Sequence, residues 1–153
     1  MENQEPATPF IVEEEETEQK LIRIIEKNDN KGKYELKFLA TNQKLYIQCL
    51  DKEFPNPTYE NNYSLKKLNN IHRYFQTYEN IQEVCSFIES VNKNSINLDK
   101  KNENIILKIK CFYKQKLNDI DFELLSVKTD YNKIINDLFS QIYQIKEGFK
   151  NIN

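Results

Sequence analysis

Glycine is almost missing from this chain of 153 residues, which has only Gly32 and Gly148. Phosphate-cradling loops need several residues that tolerate positive φ and close backbone approach, so nucleotide-binding fingerprints are excluded. There is no tryptophan and one histidine, and arginine and alanine occur twice each. The lone His72 stands beside Arg73 at the end of a short predicted helix with no carboxylate at a partner spacing, which leaves general acid–base chemistry without its usual groups. No serine or cysteine has a neighbourhood that would activate it. The expectation is therefore a protein that is not an enzyme and takes no cofactor and no metal. Cys49, Cys85 and Cys111 are odd in number, widely spaced and flanked by apolar neighbours, and they read as buried small hydrophobes. No run approaches the roughly 18 apolar residues of a membrane span; Leu21–Ile25 is cut by Arg23. With no basic segment leading into an apolar block at the N-terminus, the expected setting is soluble, reducing and cytoplasmic.

What is abundant is Lys, Asn and Ile, 58 residues together. AT-rich coding inflates all three whatever the function, so position carries more information than abundance. Seven of the 24 acids fall within the first nineteen residues, leaving 22 cations against 17 acids, a net +5, on the rest. That is a mild basic surface and not the strong field of a nucleic-acid binder, so nucleic acid is not the expected partner. Residues 1–19, with Pro6, Pro9 and the run Glu13–Glu16, cannot repay their ordering entropy by burial and are expected to be a disordered acidic tail. Within it Phe10, Ile11 and Val12 precede the glutamates, an apolar triplet with an acidic flank suited to adding a strand to a partner's sheet edge. In that respect it resembles SUMO-interacting motifs; a plain solubilising tail is the alternative.

From Lys20 the apolar period becomes two. Leu21–Glu26, then Tyr34, Leu36, Phe38 and Ala40, then Leu45, Ile47 and Cys49 predict a three-stranded meander, with turn chemistry at 29–32 and 41–44. A weaker fourth strand is expected near Tyr59–Tyr63, after Pro55 and Pro57. Ser64 is a good N-cap for a short helix carrying Leu65, Leu68 and Ile71, and Asn80 with Glu83 forms a capping-box-like start for a longer one. Ile81, Val84, Cys85, Ile88 and Val91 then follow at helical spacing. Strands return at Ser95–Leu98, Asn104–Cys111 and Asp119–Leu125. In the last, Asp119, Asp121 and Glu123 share a face, but same-face neighbours lie nearly 7 Å apart, which suits a solvated face better than a metal site.

The remaining segment is helical. Tyr131, Ile135, Leu138, Ile142, Ile145, Phe149 and Ile152 follow one another at steps of about four and three, a heptad seam of three repeats. Such a seam pairs with another helix; alternatively, Ile134 and Phe139 widen it into a stripe that docks on the chain's own body. The layout predicts three parts: tail 1–19, β-sandwich head 20–126, and helix 127–153. The fold class is α+β, a small seven-stranded sandwich with an inserted helix pair and a C-terminal heptad helix.

That element order, above all Tyr59–Val91 and the heptad helix, resembles the head-plus-coiled-coil superfamily that includes the centriolar cartwheel spoke protein and the scaffold of the end-joining DNA ligase. The resemblance covers residues 20–153 and rests on element order, without a diagnostic motif. It implies parallel pairing of the helix, and heads that meet through an apolar residue in the loop before the last strand. Here that loop is Phe112–Leu117 and the insert would be Phe112 or Tyr113, unless both rings fold back onto the sheet. The chain is also similar to small AT-rich protist proteins. The expected function is a non-catalytic cytoskeletal scaffold of cilium or basal body, with protein partners in a homodimer or larger assembly. The alternatives are a DNA-repair-type scaffold of the same architecture and an adaptor working through the acidic tail.

Overall fold

In the computed structural model, residues 14–127 and 131–150 are described. Strands β1 (Lys20–Asp29), β2 (Gly32–Ala40), β3 (Lys44–Asp51) and β4 (Thr58–Ser64) form an antiparallel meander. Helix α1 (Leu65–Ile71), a 3₁₀ helix (Arg73–Thr77) and helix α2 (Ile81–Ser90) follow, then β5 (Ile96–Lys101), β6 (Asn104–Tyr113), β7 (Lys116–Ser126) and helix α3 (Tyr131–Lys150). The α+β class, the seven strands, the helix pair between the fourth and fifth, and the C-terminal helix are those the sequence predicts.

Local chemistry explains the boundaries. Ser64 Oγ accepts from the backbone N–H of Lys67 at 3.2 Å, and Asn80 Oδ1 accepts from that of Glu83 at 3.0 Å. The Glu83 carboxylate reaches back to the N–H of Glu79 at 3.0 Å, closing the second half of the capping box one residue early. Gly32 turns β1 into β2 at φ +147°, where a Cβ would meet the Tyr34 ring at 2.9 Å. Period-two burial then sorts the strands: Tyr34, Leu36, Phe38 and Ala40 point inward from β2, and Ile120, Phe122 and Leu124 from β7.

All seven strands belong to one hydrogen-bonded order, β1-β2-β3-β4-β7-β6-β5. The junction in its middle is short. β4 meets β7 at only Tyr59↔Ser126 and Glu60↔Leu125, after which Asn61 Nδ2 and the Tyr63 hydroxyl take over by donating to the Glu123 carbonyl at 2.9 and 2.5 Å. The sheet is curled about this junction, and the β1 edge with its following turn reaches the end of α2 and, through Lys31, strand β5. Arg23 on β1 donates to the carbonyls of Ile88, Glu89 and Val91 at the end of α2; Lys27 donates to that of Lys93, and Lys31 pairs with Asp99 of β5 at 2.6 Å. Leu68, Phe75, Ile81, Val84 and Ile88 from the helices are buried in the same core as the strands. Phe75, wholly buried, meets Phe122 edge-on at 5.9 Å and Phe87 at 6.1 Å.

In two regions the structure adds contacts to the sequence expectation. Residues 14–17, at the end of the expected acidic tail, hydrogen-bond to the β2–β3 turn. The N–H of Thr17 donates to Asn42 Oδ1 at 2.9 Å, and Glu16 Oε1 accepts from Tyr46 and Thr41 hydroxyls at 2.6 and 2.8 Å. Here a carboxylate finds two hydroxyl donors, which composition cannot foresee. The tail triplet Phe10, Ile11 and Val12 lies outside the described residues, as does Ile152. The second region is the expected loop Phe112–Leu117. It is a tight hairpin whose two turn residues, Lys114 and Gln115, both take positive φ (50° and 60°), with Tyr113 paired to Lys116 and Phe112 to Leu117.

Candidate functional site

Helix α3 opens at Tyr131, and its side chains are described from Asn132 to Phe149. Its apolar stripe stays open to solvent: Ile135, Leu138, Ile142 and Ile145 are about half exposed, and Phe149 is 71% exposed. Phe139 and Tyr143, one turn apart on the flank of the seam, are 66% and 65% exposed. The alternative in which this helix lies flush on its own head does not describe it. Tyr143 was missed as part of the surface, although its spacing of four from Phe139 marks it.

The second surface is the β6–β7 hairpin tip. Strand alternation sends Phe112 and its cross-strand partner Leu117 to one side, where they are 71% and 65% exposed. Tyr113 and Lys116 go to the other. Of the two candidate inserts, Tyr113 folds back, its ring 5.7 Å from Tyr74 and 5.9 Å from His72, both edge-on. Phe112 stands free with Leu117, a partner that sequence reasoning left inside a loop. Asn118 braces the tip by donating through Nδ2 to the carbonyls of Tyr113 and Lys116, both at 3.0 Å.

The residues with chemical potential are otherwise engaged. His72 Nδ1 accepts from the N–H of Tyr74 at 3.0 Å, capping the 3₁₀ helix. Burial pushes the Cys49 thiol up to about 12, and raises Cys85 and Cys111 for the same reason; a thiol held protonated is a poor nucleophile. Asp119 and Asp121 face outward and stand opposite Lys110 and Lys108 in the β6–β7 register. Among the described residues no group of three or more His, Cys, Asp or Glu is placed to hold a metal ion, and no helix is long and apolar enough to cross a membrane.

No protein-family model matches the chain, and no curated protein matches it. Among solved structures, the head domain of human CCDC61 is similar, with a TM-score of 0.55 at 9% identity, over 72% of this chain and 98% of that one. The fold is like that of a head domain. At such identity the likeness extends to the arrangement of elements and not to individual side chains, so the roles of Phe112 and of the α3 stripe rest on their own geometry.

Proposed function

We propose that this chain is a non-catalytic assembly protein, a cytoskeletal scaffold component of a ciliary or basal-body setting, that binds other subunits through two apolar surfaces. The head, residues 20–126, offers Phe112 at the hairpin tip, and the helical part, 127–153, offers the seam Tyr131, Ile135, Leu138, Ile142, Ile145 and Phe149. The observation that carries this reading is the exposure of the α3 stripe, with Ile142 at 49% and Phe149 at 71%. Its superfamily resemblance and the head-domain likeness support the cytoskeletal setting; the helix-capping role of His72 and the protonated thiols support the non-catalytic one.

Magnitudes make self-pairing by α3 weak. Burying the exposed half of a large aliphatic side chain yields about 1 kcal/mol, so the described seam contributes roughly 5 kcal/mol per chain. Two chains together then supply roughly 10 kcal/mol, which falls inside the association cost of about 4 to 15 kcal/mol and leaves little or no surplus. A short coil is thus a contributor that needs head contacts or a partner beside it. Sedimentation velocity over a concentration series tests this. Wild type self-associates at the highest concentrations, whereas Ile142→Glu, with a carboxylate in the seam, stays monomeric. Phe112→Glu removes the larger species and keeps the helix-paired one. Identical monomeric behaviour of all three chains would remove self-assembly. Locating the tagged chain in its native cell and recovering co-purifying proteins tests the setting.

A further inference from the structure

Behind the hairpin tip, on the side away from Phe112, lies a cleft of about 760 Å³ between the end of α1, the 3₁₀ helix and the Tyr113–Asn118 turn. It is lined by Arg73, Lys114 and Lys116 with His72, Tyr113 and the amide residue Asn70 among others, and none of its lining residues is acidic. Elsewhere on the body several cations have an acidic neighbour. Lys31 and Lys108 share Asp99 at 2.6 and 3.5 Å, Lys52 pairs with Glu26 at 2.7 Å, and Lys110 stands opposite Asp119. Arg73, Lys114 and Lys116 enter none of the ion pairs found among the described residues. The cleft is also held in shape: the turn is braced by Asn118, and Lys114 Nζ sits 5.4 Å from the centroid of the Tyr113 ring.

We propose that this cleft binds an acidic peptide segment of a partner protein, its carboxylates meeting Arg73, Lys114 and Lys116 and its backbone meeting the amide side chains of the lining. Amides both donate and accept, which suits a peptide backbone; an ionised phosphodiester backbone offers no donor. Nucleic acid also needs positive charge along several phosphates, and here it stops at the hairpin, because the next cations up the β6–β7 ladder, Lys110 and Lys108, face Asp119 and Asp121. The site is separate from the apolar surfaces, so a chain that never self-associates could still carry it.

The test is fluorescence anisotropy of a labelled hexaglutamate peptide titrated with the full chain at about 50 mM salt, where exposed charges are weakly screened. Hexaglutamine and a labelled oligothymidine run in parallel. Hexaglutamate binds and hexaglutamine does not. Arg73→Gln with Lys116→Gln weakens binding about tenfold, as expected for two exposed charge contacts. Lys100→Gln with Lys101→Gln removes the same net charge from the far end of β5 and leaves binding unchanged. All four residues are exposed, and matching thermal melts confirm that both variants fold. Absent hexaglutamate binding, equal weakening in the two double variants, or tighter binding of oligothymidine than of hexaglutamate would each overturn the assignment.

Discussion

Replacing Arg23 by alanine should loosen the head more than any other surface substitution. One guanidinium nitrogen, Nη1, lies 3.0, 3.3 and 2.5 Å from the carbonyls of Ile88, Glu89 and Val91, so a β1 side chain terminates α2 and ties one edge of the curled sheet to the helix layer. Nη1 has two hydrogens, so two good bonds are the most it can make at once. At about 1.5 kcal/mol each, the lower end for a charged donor because Arg23 is only partly buried, the loss is roughly 3 kcal/mol. A favourable cation at a helix C-terminus is part of the same sum. For a protein of this length that lowers Tm by about 6–12 °C, read by circular dichroism or differential scanning fluorimetry. Arg23→Lys keeps the charge and has donors enough on one nitrogen, but its shorter side chain brings the ammonium less far towards the carbonyls, and it should lose about half as much. Lys27→Ala, which removes one exposed bond of 3.3 Å to Lys93, is the control and should barely move the midpoint. A shift for Arg23→Ala no larger than the control's would mean that the edges are held by core packing alone, and the proposed closure would be wrong.

Other expectations follow from single contacts. Phe75→Ala empties the centre of the aromatic cluster and should cost about 3–5 kcal/mol in urea denaturation, with loss of folding an acceptable extreme. Ser64→Ala and Asn80→Ala each remove a cap and should cost about 1 kcal/mol, additively, because the two caps share no hydrogen-bond partner. Glu16 is held below the ordinary carboxylate range, first by the Tyr46 hydroxyl and then by Thr41. Its contact is therefore in place at neutral pH and is lost only as pH falls through that lowered value, which amide exchange of Thr17 and Asn42 would follow; Tyr46→Phe should move the release to higher pH. In the native state a thiol reagent should modify the half-buried Cys85 first and leave Cys49, wholly buried and with its thiol at about 12, to global unfolding.

The elements most legible in the sequence are those decided by neighbours. Tyr34–Ala40 and Ile120–Leu124 alternate because one face of each strand is wet, and Ser64 and Asn80 announce their helices with side-chain acceptors. The heptad spacing of α3 likewise needs only local rules. What was not legible depends on contacts between distant residues. Arg23 looked like an interruption in an apolar run, yet the curl of the sheet brings it to carbonyls 65 residues or more away. Lys114-Gln115 carries none of the usual Asn-Gly turn signature, and its positive φ values are enforced by the long β6–β7 ladder and the Asn118 brace. The cationic cleft combines Arg73 with Lys116, residues whose adjacency exists only after the 3₁₀ helix has packed beside the hairpin.

The position of β7 has a mechanical consequence. The chain leaves the head from an interior strand, flanked by β4 on one side and by nine paired residues of β6 on the other. Tension drawn along the terminal rod would load that ladder in shear, many bonds sharing the strain together, whereas a rod hung from β1 or β5 could be unzipped one bond at a time. An anchor built this way should resist pulling better than the same head with its rod attached to an edge strand.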